Sequence, residues 1–168
     1  MPERRLVYNW VATEAEKEQA EREALEQHDI DTADPLVDPR SEAAQVKHKR
    51  MGILGELVQC NRNGWKRART PDQISLPYDA IDQDGKKIEI KTRSMWKREI
   101  RVSPECDYAA LLFYWKDESG DEHFEPIRIF QRSQLRHLPD YDCDGIFLKS
   151  EFWKKLLRDA GVPERFVR

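Results

Sequence analysis

Apolar and polar positions alternate most regularly between Tyr78 and Lys91. In Lys87-Ile88-Glu89-Ile90-Lys91 the period is two. This predicts a strand with Ile88 and Ile90 on a core face and Glu89 and Lys91 on the other. The preceding run, Tyr78-Asp79-Ala80-Ile81-Asp82, predicts its hairpin partner. Two turns fit between them. A two-residue Asp84-Gly85 turn sets Asp79 opposite Ile90, pointing away from Glu89. A three-residue loop, Gln83-Asp84-Gly85, with Gly85 in the left-handed position of a bulged turn, sets Asp79 directly across from Glu89. Farther on, Asp107-Tyr108-Ala109-Ala110-Leu111-Leu112-Phe113-Tyr114-Trp115 predicts the central buried strand. A turn from Asp117 to Glu122 and a strand from Glu125 to Phe130 follow it.

Helical spacing marks three other stretches. In Gly52-Ile53-Leu54-Gly55-Glu56-Leu57-Val58, the residues Leu54, Leu57 and Val58 form an apolar stripe. Gly52 and Glu56 lie four apart on a neighbouring face. Glycine weakens a helix, so two of them predict close backbone approach. Thr13 to His28 predicts a charged helix opened by the capping box Thr13-x-x-Glu16, with a thin stripe of Ala15, Ala20, Ala24 and Leu25. It packs on the domain or on a second subunit, or acts as an acidic arm competing for a basic face. Asp29 to Arg40, with Pro35 and Pro39 among acids, predicts a linker, and Leu6 to Trp10 an apolar patch that docks elsewhere. Ser150 to Ala160 predicts a closing helix capped by Ser150 and Gly161, its stripe of Phe152, Trp153, Leu156 and Leu157 covering a core or a dimer face. Together these predict an α/β fold: a mixed sheet of about four to five strands flanked by helices, with an N-terminal charged helix. Residues 1–43 form an acidic helical arm and linker, and 44–168 the main domain.

Composition adjusts this picture. The 168 residues carry a formal charge of -3, unpromising for a nucleic-acid partner. The charge is unevenly placed, however. Residues 1–46 hold 5 basic and 12 acidic side chains, and residues 47–168 hold 24 basic and 20 acidic. The larger part is thus mildly basic, which permits nucleic-acid binding. Cys60, Cys106 and Cys143 have no paired spacing and predict a reducing, cytoplasmic setting. His28, His48, His123 and His137 lack ligand spacing. There is no signal-peptide pattern, no apolar run long enough to span a membrane and no glycine-rich phosphate loop, so neither a membrane partner nor a nucleotide cofactor is expected.

The chemistry concentrates on the hairpin. With 36% of residues charged, alternating acids and bases are commonly a solvated sheet face. The sharper reading rests on Asp79, Glu89 and Lys91 together with Glu56 on the preceding helix. Carboxylates held opposite one another repel unless a cation lies between them. Three acids and a lysine at one sheet edge suit a hard cation beside a phosphate, and because that chemistry needs Asp79 across from Glu89 it predicts the three-residue loop. Two basic clusters are candidate DNA contacts: Lys66, Arg67 and Arg69 on an expected edge strand, and Arg93, Trp96, Lys97, Arg98 and Arg101 after the lysine. For each, an ordinary solvated charge is the alternative.

The order Gly55-Glu56 on a helix, Pro77-Tyr78-Asp79 on a strand, then nine residues and Glu89-Ile90-Lys91-Thr92 resembles the PD-(D/E)XK nuclease superfamily, nearest to its small homing-endonuclease-like members. Tyr78 between proline and aspartate departs from the motif. The likeness spans roughly Lys49 to Leu135. It implies a restriction-endonuclease-like fold and a metal-dependent endonuclease hydrolysing DNA phosphodiester bonds. It further implies that Asp79, Glu89 and the Ile90 carbonyl hold Mg²⁺, for which Mn²⁺ can substitute, with Glu56 assisting through water or at a second ion. Lys91 would orient the attacking water and stabilise charge on the phosphate. Duplex cleavage by so small a chain implies a homodimer. A catalytically silent DNA-binding or assembly protein and an RNA-directed nuclease remain the alternatives.

Overall fold

The computed structural model describes residues 10–32, 42–68, 78–94, 100–101, 105–131, 141–142, 145–146, 150–159 and 161–167. Helices α1 (Glu14–Thr32) and α2 (Glu42–Asn63) come first. Then follow β1 (Lys66–Arg67), β2 (Ala80–Ile81), β3 (Lys87–Arg93), β4 (Ile100–Arg101), β5 (Tyr108–Lys116), β6 (Glu122–Gln131), β7 (Tyr141–Asp142) and β8 (Gly145–Ile146). Helices α3 (Ser150–Asp159) and α4 (Glu164–Val167) close the chain.

The protein is α/β. Its main sheet has five strands in the order β1-β2-β3-β5-β6, and β4, β8 and β7 form a small second sheet. The main sheet is mixed: β3 and β5 are parallel and the other pairs antiparallel. A parallel pair requires a crossover, and the connection from β3 to β5 includes β4. The β5–β6 register slips between Leu111 and Leu112, a bulge in an otherwise regular ladder. The predicted central strand, β5, has Ala109 to Phe113 all buried, although β3 occupies the middle of the order.

Alternation sorts the sheet's two faces. Ile88, Ile90, Ala110 and Leu112 join Leu54, Leu57 and Val58 of α2 in one core cluster. Ala109, Leu111 and Phe113, of opposite parity, are buried on the other face, where Trp115 packs against Phe166 of α4 at 5.2 Å between ring centroids. On α2 the predicted stripe is buried as expected, but only one glycine marks close approach. A Cβ at Gly55 would lie 2.1 Å from Thr92 Oγ1, whereas Gly52 has nothing within 4 Å.

The N-terminal helix opens with the predicted capping box: Thr13 N–H donates to Glu16 Oε1 at 2.9 Å, and Glu16 N–H to Thr13 Oγ1 at 3.2 Å. It runs past His28 to Thr32, so the first part of the predicted linker is helical. Leu25 is 51% exposed, and Ala15 also faces out. The stripe that packs consists of Glu16, Ala20, Glu23 and Ala24, all buried. Trp10, Ala12 and Ala20 belong to the same core cluster as the sheet. Trp10 docks where its segment pairs with the start of β6: Phe124 N–H donates to the Trp10 carbonyl at 2.9 Å. The rest of the Leu6–Trp10 patch lies outside the described residues. The closing helix ends at Gly161 as predicted, with Val162 N–H bonded to the Leu157 carbonyl at 3.0 Å. Leu157 is buried; the side chains of Phe152, Trp153 and Leu156 are not described. Among the described residues no helix is long and apolar enough to cross a membrane.

Candidate active site

The hairpin turns through Gln83-Asp84-Gly85. Asp82 N–H donates to the Lys86 carbonyl at 3.0 Å, and Gly85 N–H to the Asp82 carbonyl at 3.1 Å. Gly85 has a φ of 77°, the left-handed geometry glycine adopts without penalty. Asp82 Oδ1 accepts the Asp84 and Lys86 N–H groups, each at 2.9 Å, and fastens the loop from inside. The register is Ala80↔Ile88 and Ile81↔Lys87, so the two-residue alternative does not occur.

This register delivers Asp79 to Glu89. Asp79 N–H donates to the Ile88 carbonyl at 2.8 Å, while its Oδ2 accepts the Ile90 N–H at 2.7 Å. The aspartate thus clasps the backbone on both sides of Glu89. Both carboxylates are buried. Glu89 Oε1 meets Lys91 Nζ at 2.6 Å, as two residues on one face of a strand should. Thr92 presses on Gly55 of α2, and Ile88 and Ile90 share a core with that helix, so Glu89, Lys91 and Arg93 occupy the opposite face.

Glu56, expected at the same sheet edge, meets Arg67. Its Oε2 accepts from Arg67 Nε at 3.2 Å and Nη2 at 3.1 Å. Arg67 Nη1 in turn meets both oxygens of Glu23 on α1, at 2.7 and 2.8 Å. Burial, then the charges of Glu56 and Asp79, push the Cys60 thiol up to about 12, partly offset by Arg67. Burial, then Glu89 and Asp79, push Cys106 up to about 12, partly offset by Lys91. Among the described residues, Asp79 acts on both thiols.

Among the described residues, no group of three or more histidine, cysteine, aspartate or glutamate side chains is gathered as a metal-holding set. A Mg²⁺ site does not require one, because this ion is usually held by one or two carboxylates with waters and substrate phosphates. Asp79 and Glu89, hard oxygen donors on neighbouring backbone segments, fit that demand.

The candidate DNA contacts fall into different settings. Lys66 is exposed on the edge strand β1. Arg67 is half-buried and engaged with two carboxylates. Arg93 donates to the Thr92 carbonyl at 2.9 Å, and burial holds its guanidinium below the usual arginine range despite Glu89. Arg101 pairs through its backbone with Gly145 in the small sheet. Arg69, Trp96, Lys97 and Arg98 lie outside the described residues. Of the histidines, His28 is buried, His48 exposed, and His123 stacks on Trp115 beside Asp117. His137 and Cys143 lie outside the described residues.

Sequence reasoning missed Glu23 and the guanidinium between it and Glu56. A signal was present: Glu16, Ala20, Glu23 and Ala24 follow helical spacing, so the acids share the stripe that the alanines mark for packing. No protein-family model matches the chain, and no curated protein matches it.

Proposed function

We propose that this chain is a Mg²⁺-dependent endonuclease of the PD-(D/E)XK type that hydrolyses DNA phosphodiester bonds on a restriction-endonuclease-like fold. The observation that carries the reading is Asp79 Oδ2 bonded to the Ile90 N–H at 2.7 Å, which sets a second carboxylate beside Glu89 and Lys91. Asp79, Glu89 and the Ile90 carbonyl would hold the ion, with Glu56 contributing through water. Bound there, a divalent ion supplies a Lewis acid for the phosphoryl oxygen and a source of hydroxide at neutral pH. Lys91 orients the attacking water and stabilises charge on the phosphate, and its ammonium already stands 2.6 Å from Glu89. Lys66 and the basic stretch after Lys91 supply phosphate contacts. A homodimer would offer two such sites to the two strands of a duplex.

The Glu89–Lys91 ion pair, which already engages the lysine, favours a second reading, a silent DNA-binding protein of the same fold. Plasmid, linear, branched and single-stranded DNA, and RNA, incubated with Mg²⁺, Mn²⁺ or EDTA beside Asp79→Ala and Lys91→Ala, separate the readings. Metal-dependent DNA cleavage lost in both variants, with binding retained, supports the endonuclease. Metal-independent binding without product from any substrate overturns it, and cleavage of RNA alone reassigns the substrate.

A further inference from the structure

Strand β3 ends with two cations on the face that carries Glu89, Lys91 and Arg93, and the two are answered differently. Lys91 Nζ meets Glu89 at 2.6 Å. Arg93 donates through Nη1 to the Thr92 carbonyl at 2.9 Å, a bond to its own neighbour, while its Nε is buried with no hydrogen-bond acceptor. Burial holds this guanidinium below the usual arginine range, and the charge of Glu89 offsets that only in part. A buried N–H on a charged group forfeits its hydration when no acceptor takes the place of water. Folding gains nothing from such a group, whereas a ligand that brings the acceptor does.

The geometry narrows the acceptor. With Nη1 held by Thr92, the edge formed by Nε and Nη2 is the fork that remains, and a guanidinium fork matches two oxygens of a phosphate. Residues two apart on a strand stand roughly 6.5 Å from each other. Long lysine and arginine side chains close that distance, so both can reach one phosphate.

We infer that Arg93 is the seat for the phosphodiester at this site, offering Nε and Nη2 to its two unesterified oxygens while Lys91 stays with Glu89. This rests on the proposed phosphodiester site at Asp79, Glu89 and Lys91. It sets Arg93 apart from Lys66, whose exposed ammonium suits a neighbouring phosphate. Lysine would not replace it, because an ammonium lacks the planar fork.

The experiment follows the Nε–Hε magnetic resonance signal of Arg93 in the isotope-labelled full chain, assigned by its loss in Arg93→Met. The probe is the dinucleotide TpT, which holds a single phosphodiester, added in EDTA. TpT should move that signal, and thymidine, which lacks the phosphate, should not. Arg93→Met should weaken TpT binding by about tenfold or more, whereas Lys47→Met, at an exposed lysine of α2, should leave it within about twofold. Stability separates a ligand group from a structural one. Arg93→Met removes a buried donor that has no acceptor, so its urea midpoint without TpT should equal or exceed that of the unaltered chain. Added TpT should raise the midpoint of the unaltered chain and not that of the variant.

A signal that TpT leaves in place, an equal loss of binding in Lys47→Met, or a clear fall in the midpoint of Arg93→Met would each overturn the inference. The two readings fail separately. If TpT moves the Arg93 signal but no substrate is cut with any metal, the endonuclease reading falls and the phosphodiester seat stands. If DNA is cut and Arg93→Met cuts it at the original rate, the seat falls and the endonuclease reading stands.

Discussion

Gly55→Ala tests the contact that sets α2 against the sheet. The new Cβ would meet Thr92 Oγ1 at 2.1 Å, Thr92 Cβ at 3.2 Å and Cγ2 at 3.3 Å. Rotating Thr92 cannot clear the space, because a β-branched residue keeps two heavy atoms on Cβ and few rotamers. The helix or the strand must move. Overpacking of this kind costs about 1–3 kcal/mol. Against it stands the helix propensity recovered by replacing glycine with alanine, about 0.8–1.0 kcal/mol. A 2.1 Å approach places the cost in the upper part of that range, about 2–3 kcal/mol, so the net expectation is a loss of about 1–2 kcal/mol, read as a lower urea midpoint at unchanged slope. Two companions make the reasoning strict. Gly52→Ala meets nothing within 4 Å, so it should gain about 0.8–1.0 kcal/mol from propensity alone. In a Thr92→Ala background both branches are gone, and Gly55→Ala should become neutral or stabilising. A Gly55→Ala protein as stable as the original with Thr92 intact would refute the argument.

Three further outcomes are expected. Asp79→Ala removes the acceptor for the buried Ile90 N–H and should cost about 2 kcal/mol, whereas Asp79→Asn keeps an acceptor and should cost less while still losing any metal-dependent cleavage; equal unfolding midpoints for the two variants would count against this role. Burial alone would raise the Glu122 carboxyl, but Arg50, at 2.6 and 2.8 Å, and the Tyr114 hydroxyl, at 2.7 Å, outweigh it and hold it below its ordinary 4.5. A depressed value means that stability is present above about pH 4.5 and lost as pH falls through the folded value. Arg50→Met should therefore cost about 3 kcal/mol at neutral pH, a deficit that shrinks as pH falls, first through the raised value that burial gives Glu122 in the variant and then through the lowered one it has beside Arg50, measurable by urea melts across pH. Cys60 and Cys106, both buried with thiols pushed up to about 12, should resist alkylation at pH 8 until urea unfolds the chain, as followed by mass spectrometry; rapid labelling of either in the folded protein would contradict the burial.

Local pattern carried much of this architecture. Period-two alternation identified β3 and its faces, because side-chain direction in a strand follows from backbone geometry alone. The need to bring Asp79 to Glu89 selected the three-residue turn, and Gly85 made that turn sterically open. The capping box, the α2 stripe and the glycine that ends α3 were equally readable, since each depends on residues within a turn or two of one another. What the tertiary structure alone decided is which charges meet. Nothing near Arg67 in sequence shows that its guanidinium lies between Glu23, 44 residues earlier, and Glu56. Nor does the pattern of α2 reveal which face of β3 it covers, and hence that Glu56 joins Arg67. Long-range ion pairs are set by how packed elements cross, and that crossing is fixed by the whole core at once.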